Sequence, residues 1–70
     1  MTVQFTYNNK GNITIRQVKS MTFSRGIVSL TLYDYYSITG SIPSPEQYVI
    51  NTSKPDVIKF DGVTDISSYD

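Results

Sequence analysis

Short runs of alternating apolar and polar residues, separated by Gly, Asn and Pro, constrain this chain more than any other feature. Residues 2–7 place Val3, Phe5 and Tyr7 on one side and Thr or Gln on the other, which is the period of a half-buried strand. Val, Ile, Thr, Tyr and Phe dominate the chain, whereas alanine is absent, and this composition favours strands. We therefore predict an all-β domain of about four to six short antiparallel strands, arranged as a meander, a small barrel or a sandwich.

The first two strands are predicted to form a hairpin. Residues 8–12 read Asn-Asn-Lys-Gly-Asn, and these residue types tolerate left-handed backbone conformations. A five-residue loop over this segment would place Tyr7 opposite Ile13 and Phe5 opposite Ile15.

The second predicted strand, residues 13–23, changes phase in its middle. Its apolar residues are at odd positions except Val18, whereas the odd positions Gln17 and Lys19 are polar. A β-bulge near residues 17–19, or a strand that passes from the core to the edge, would explain this change. Residues 24–26 then supply a turn into the longest β-like run, residues 27–38.

The pairing of these two strands indicates a binding surface. Two registers match their apolar faces, with Met21 opposite Leu30 or opposite the residue two positions earlier. Each register places Arg16 beside Tyr33 or Tyr35 on the face opposite the core. A guanidinium beside two phenols can stack on a base and attract a phosphate, so a nucleotide or nucleic-acid surface is one reading. A solvated or subunit-covered face is the other, because tyrosines are common at interfaces.

Asp34 occupies a position with core parity, where an unpartnered carboxylate is costly. Either the strand leaves the core there, or the acid is held by Arg16, Lys19 or a basic residue of another subunit. The second reading would assign Asp34 to an interface or a binding pocket.

After residue 40, turn-forming residues alternate with short β-like runs. One helical turn is predicted over residues 44–47, with Ser44 as the N-cap and Pro45 as the first helical residue. The predicted strands are 48–51, 57–60 and 63–66, and the predicted breaks are Lys54-Pro55 and Asp61-Gly62. Residues 67–70 are predicted to be a frayed end of this single domain, residues 1–70.

The charges are segregated along the chain. Residues 1–33 carry four basic residues and no carboxylate, whereas residues 34–70 carry six carboxylates and two lysines. The halves therefore sum to +4 and −4, which suits self-association or an anion-binding face. The acidic half, with Glu46, Asp56 and Asp61, could instead meet a basic protein partner.

Cys and His are both absent, which excludes disulfides, zinc fingers and catalysis by Ser-His or Cys-His pairs. The C-terminal aspartates have neither the spacing of an EF-hand loop nor that of a hydrolase pair. We therefore expect no enzymatic activity, no cofactor and no metal. Duplex DNA is also disfavoured, because the chain is neutral overall with a pI near 6.1.

At 70 residues the core is small, and domains of this size often depend on a partner subunit. A homo-oligomer is therefore predicted. The N-terminus lacks the basic and apolar segments of a signal peptide, and no apolar run is long enough for a membrane span. A cytoplasmic location, without membrane association, is the corresponding expectation.

No family motif is present. In its lack of Cys and Trp and its abundance of Asn, Ser, Thr, Tyr and Ile, the chain resembles small proteins of phages and prophages of low-GC Gram-positive bacteria. That resemblance implies an accessory protein in the host cytoplasm, such as an inhibitor that blocks a host or defence protein by direct contact. Two alternatives are an oligomeric sponge that sequesters a signalling nucleotide and a structural component of virion assembly.

Overall fold

The alternating runs of the sequence form β-strands in a computed structural model that describes residues 1–51 and 56–70. The described strands are β1 (Thr2–Tyr7), β2 (Asn12–Ser24), β3 (Ile27–Gly40), β4 (Val49–Ile50), β5 (Val57–Asp61) and β6 (Val63–Tyr69). They form one antiparallel sheet in the order β4-β5-β3-β2-β1-β6. The all-β prediction is therefore confirmed, whereas the predicted break at Lys54-Pro55 lies outside the described residues.

The sheet curls strongly on itself. In the sheet order, β1 and β5 are separated by β2 and β3, so a flat sheet would place them roughly 14 Å apart. The rings of Phe5 in β1 and Phe60 in β5 nevertheless have centroids 5.1 Å apart, and those of Tyr7 and Phe60 are 5.4 Å apart. Curling lets one sheet cover its own apolar face, as in a small barrel.

The concave face holds the hydrophobic core. Among the described residues every buried side chain is hydrophobic, and the buried set is Val3, Phe5, Tyr7, Ile13, Ile15, Val18, Val28, Leu30, Leu32, Ile58, Phe60 and Val63. The predicted inward face of β1 is confirmed in full. Val18 also lies in the core, because the bulge before it reverses the side-chain alternation of β2.

The β1–β2 hairpin differs from its predicted register by two residues. Phe5 pairs with Ile13 and Val3 with Ile15, so the prediction of Tyr7 opposite Ile13 is wrong. Asn8 and Asn9 both adopt left-handed φ angles, 50° and 56°, and this permits a tighter loop than the five residues expected. A shift of two residues leaves each side chain on the same face, so the core assignment is unaffected.

The β2–β3 hairpin has one of the two predicted registers near its turn. Met21 pairs with Leu30 and Ser24 with Ile27. Arg25 and Gly26 form the two-residue connection with φ angles of 53° and 77°, the backbone that a type I′ hairpin turn requires.

Gly62 joins β5 and β6, which are not neighbours in the sheet order. The predicted turn at Asp61-Gly62 is present with φ 81° at Gly62, but β5 pairs with β3 and β6 pairs with β1. The amide of Asn8 donates to the Gly62 carbonyl at 3.0 Å, and the amide of Val63 donates to the Gly26 carbonyl at 2.9 Å. These two bonds hold the turn at Gly62 against the loop after β1 and the turn between β2 and β3.

The prediction of a frayed end over residues 67–70 is wrong for residues 67–69. Ser67, Ser68 and Tyr69 continue β6 and pair with Gln4, Val3 and Thr2. Polar side chains do not end a strand whose backbone groups find partners on a neighbouring strand.

The predicted helical turn is confirmed as a 3-10 helix over Pro45–Gln47, with Ser44 at the N-cap position but without a capping bond from its side chain. The amide of Gln47 donates to the Ser44 carbonyl at 2.9 Å. No helix in the described parts of the chain has the length and apolar character needed to cross a membrane.

Candidate functional site

The most irregular part of the sheet is in the middle of β3. Arg16 pairs with Ser37, and Val18 pairs with Leu32. Residues 33–36 of β3 therefore lie opposite the single residue Gln17, whose φ is 64°. We call residues Tyr33, Asp34, Tyr35 and Tyr36 the tyrosine bulge.

A smaller irregularity follows in β2. Val18 pairs with Leu32, whereas Ser20 pairs with Thr31, so Lys19 is an extra residue in β2. The prediction of a bulge near residues 17–19 is confirmed. The two irregularities belong to opposite strands of the same ladder and lie on either side of the Val18–Leu32 pair.

The tyrosine bulge presents two stacked phenol rings to solvent. The Tyr33 and Tyr35 rings have centroids 5.5 Å apart and an interplanar angle of 17°. Their exposed fractions are 39% and 68%. The Lys19 Nζ lies over the Tyr33 ring, 5.3 Å from its centroid. The site therefore combines a stacked aromatic pair with one ammonium group.

Arg16 is not beside the tyrosines, and the predicted neighbourhood is wrong in this respect. Arg16 stands opposite Ser37, and its Nη1 donates to the Thr39 Oγ1 at 3.3 Å. Both predicted registers assumed a regular ladder between Met21 and Arg16. The tyrosine bulge adds residues on the β3 side and moves the partner of Arg16 further along that strand.

Asp34 is exposed at the centre of the tyrosine bulge. Of the two readings of its position, the structure supports the one in which the strand leaves the core locally. Leu32 before the bulge is buried, and Tyr36 and Ile38 after its apex pack against the core again. Asp34 thus keeps its charge in water at a position where alternation alone would have buried it.

A cleft opens beside the tyrosine bulge. It has a volume of about 430 Å³ and is lined by Tyr33, Asp34, Tyr36 and Asp56. The amide of Leu32 donates to the backbone carbonyl of Asp56 at 2.7 Å, which holds the entry to β5 against β3. We call this space the bulge cleft.

Tyr48 adds a third phenol near the bulge cleft. Its ring stacks on Phe60 with centroids 4.7 Å apart, and it is partly buried against the core. Burial raises the pKa of the Tyr48 hydroxyl, and the nearby Tyr36 phenol raises it further. The Tyr7 hydroxyl donates to the Gln47 carbonyl, and this contact anchors the 3-10 helix that precedes Tyr48.

The predicted acidic face is not one patch in the structure. Glu46 lies exposed on the 3-10 helix, Asp56 lines the bulge cleft, and Asp61 ends β5. Asp56 and Asp61 are five residues apart along extended chain, a separation of about 16 Å. The backbone amide of Glu46 and the Ser44 hydroxyl lower the pKa of the Glu46 carboxyl.

The structure thus brings together part of the predicted set and adds Tyr36. Tyr33, Tyr35, Lys19 and Asp34 lie together, and Asp56 joins them from the segment just before β5. Sequence reasoning missed Tyr36 as a lining residue, because its parity indicated a core position. The run Tyr-Asp-Tyr-Tyr, polar and aromatic in the middle of a core strand, was the signal that could have identified it.

Within residues 1–51 and 56–70, no three Asp or Glu side chains come close enough together to hold a metal ion. The fold and the bulge cleft define a small, curled all-β domain with an aromatic and acidic surface site. No family model matches the chain, and comparisons with curated proteins and with solved structures also found no match.

Proposed function

We propose that this chain is a non-enzymatic binding domain that docks on a protein partner through the tyrosine bulge. The exposed, stacked pair of Tyr33 and Tyr35 is the observation that carries this proposal. Tyrosines are enriched where protein interfaces have their strongest contacts, because they bury a large area with little loss of conformational entropy. Stacking of the two rings restricts them before binding and reduces that loss further.

The surroundings of the tyrosine pair also suit a protein interface. Lys19 and Asp34 flank the rings with opposite charges, which is the mixed polar rim that protein interfaces have. The β-ladders on both sides of the bulge hold its backbone, so docking requires little rearrangement. An inhibitor that blocks a host or defence protein by direct contact is one form that such a domain can take.

The nucleotide sponge is the second candidate, and it uses the same tyrosines. Lys19 would take the role expected of Arg16, and a base would stack on the exposed ring of Tyr35. Asp34 and Asp56 weigh against this alternative, because two carboxylates beside the rings repel a phosphate. A native mass spectrum separates the candidates: an added mass equal to a nucleotide supports the sponge, and bare chains support protein docking.

Self-association, including a structural role in an assembly, stays a prediction, and it would use the edge of β6 instead of the tyrosine bulge. In the described part of the chain β6 forms its ladder with β1 alone, and its second edge carries a backbone bond from Val63 to Gly26 but no second ladder. Asp65, with φ 51°, interrupts that edge with a charge and a left-handed residue, a common protection against edge-to-edge pairing. We therefore assign the edge less weight than the tyrosine bulge.

Site-specific photocrosslinking tests the proposal in the cells that produce the protein. A photoreactive phenylalanine analogue replaces Tyr35 in one variant and Tyr69 in a control variant, since Tyr69 is also an exposed tyrosine, at 50%. We expect a discrete protein adduct from position 35 and none from position 69. The captured protein is then purified, and its affinity is measured for the wild type, Y33A/Y35A and Y69A.

The double substitution should weaken binding by at least about 30-fold, whereas Y69A should change it less than about twofold. Equal effects of the two variants would reject the tyrosine bulge as the docking surface. Adducts to nucleic acid in place of protein would favour the second candidate.

A further inference from the structure

We propose that the bulge cleft binds a cationic side chain, above all the guanidinium of an arginine, presented by the protein partner. This inference rests on the proposed function, since it names the group that the partner inserts. Three features of the cleft support a cationic ligand: its tyrosines, its carboxylates and its size.

The first feature is the aromatic lining. Tyr33 and Tyr36 line the bulge cleft, and the face of a phenol ring attracts cations through its quadrupole. The molecule already shows this attraction, because the Lys19 ammonium lies 5.3 Å from the centre of the Tyr33 ring. Tyr35 stacks on the Tyr33 ring and Lys19 lies over it, so we assign the contact with a partner's cation to the Tyr36 phenol.

The second feature is the pair of carboxylates. Asp34 comes from the tyrosine bulge, and Asp56 comes from the segment that enters β5. The hydrogen bond from the Leu32 amide to the Asp56 carbonyl fixes these two segments against each other. Each carboxylate attracts a cation that enters the cleft, and the two attractions act together.

The third feature is the shape of the space. A cleft of about 430 Å³ accommodates one long side chain, and two tyrosines and two aspartates line it. A guanidinium is planar, stacks on rings and donates two parallel hydrogen bonds to a carboxylate, whereas an ammonium does only part of this. We therefore expect arginine to bind more tightly than lysine, and phosphate groups to be repelled.

Small capped amino acids test the inference on the intact chain. The probes are N-acetyl-arginine methylamide, the corresponding lysine derivative, and the citrulline derivative, which has the shape of arginine without its charge. Binding is followed by backbone amide chemical shifts. We expect saturable shifts at Tyr33, Asp34, Tyr36 and Asp56 with arginine, weaker binding of lysine, and no saturable shifts with citrulline.

Variants locate the site. D34N/D56N should lower the affinity for the arginine probe at least about tenfold, because it removes both carboxylates while it keeps their shape. D65N/D70N makes the same charge change away from the cleft and should leave the affinity within about twofold, since distant exposed charges are screened at about 0.15 M salt. If D34N/D56N does not fold, D34N alone carries the test, because Asp34 is exposed.

Three results would overturn the inference: equal shifts with arginine and citrulline, equal loss in both double variants, or shifts at these residues with adenosine monophosphate and none with arginine. These results leave the docking proposal standing if the adduct at position 35 and the effect of Y33A/Y35A are observed. Conversely, arginine binding in the cleft with no effect of Y33A/Y35A on the partner would reject the docking proposal and keep the cation site.

Discussion

The ammonium nitrogen of Lys19 lies 5.3 Å from the centroid of the Tyr33 ring. Each residue belongs to an irregularity in its strand, and the Val18–Leu32 pair lies between the two irregularities. The contact therefore joins β2 to the first residue of the tyrosine bulge in β3. It holds Tyr33 from one strand while Tyr35 stacks on it from the same bulge.

Replacing Lys19 by methionine should lower the free energy of unfolding by about 0.5–1 kcal/mol, the usual contribution of a cation over an exposed ring. Methionine keeps most of the side-chain length and removes the charge. Urea denaturation followed by circular dichroism measures the loss. K10M is the control, since Lys10 lies exposed in the β1–β2 loop, and equal losses in both variants would show that the ring contact contributes nothing.

Phe60 should be the most sensitive position of the core. Its ring packs against Phe5, Tyr7 and Tyr48 and therefore links strands that are distant in the sheet order. F60A should cost about 3–5 kcal/mol, comparable to the whole stability of a domain of this size, so the variant should be largely unfolded at room temperature. F60L should stay folded with a lower melting temperature.

F23A is the matched control for Phe60, because the Phe23 side chain is 42% exposed. Its loss should stay below about 1 kcal/mol, in proportion to the smaller area that it buries. Similar melting temperatures for F60A and F23A would contradict the curled arrangement of the sheet.

Two glycines with positive φ should respond differently to alanine. At Gly40, with φ 102°, an added Cβ would overlap the backbone carbonyl oxygen of Asn12, whereas at Gly26, with φ 77°, the nearest atom would be 3.9 Å away. G26A carries backbone strain alone, of about 1 kcal/mol. G40A should lose at least about 1 kcal/mol more, because a paired backbone cannot move aside. Chemical denaturation of both variants measures the difference, and G26A losing as much as G40A would contradict it.

Stability should fall at alkaline pH in a way that depends on Tyr48. Its pKa is raised in the folded chain above the ordinary value of 10.0, by burial and then by Tyr36. The unfolded chain therefore releases the proton first, so this contribution is complete below the unfolded pKa and is lost as pH rises through the folded pKa. Y48F removes the titrating group and should flatten the loss of stability between about pH 9 and about pH 11.

The control for Tyr48 is Y69F, since Tyr69 is exposed and its ring lies at the end of β6. Its stability should fall with pH as the wild type does. The same fall in Y48F and in the wild type would mean that the folded and unfolded chains titrate this phenol alike.

Much of the sheet follows from the sequence because its signals are local. Alternation over residues 2–7 identifies β1 and its buried face, and the phase change at Gln17 identifies the bulge of β2. The turn at Arg25 and Gly26 is predictable because a two-residue hairpin turn needs left-handed backbone, which glycine adopts readily. A register error of two residues in the first hairpin did not matter for the core, since side chains alternate with a period of two.

The residues of the candidate site could be predicted from the sequence, but not which of them are neighbours. Parity and charge indicate Arg16, Lys19, Tyr33, Asp34 and Tyr35, and all of these except Arg16 gather at one place. The length of the tyrosine bulge, however, is visible only when β2 and β3 are paired. That length decides that Lys19 and not Arg16 approaches the rings.

The sequence by itself determined the strand composition, most of the core faces and the main turns of this protein, because each depends on neighbours within a few residues. Tertiary structure alone decided that Gly62 joins β5 to β6 on the far side of the sheet order, that residues 67–69 continue β6, and that Asp56 lines the same cleft as Asp34. These features depend on contacts between residues far apart in the chain. Such contacts form only when the sheet curls and brings Phe5 of β1 against Phe60 of β5.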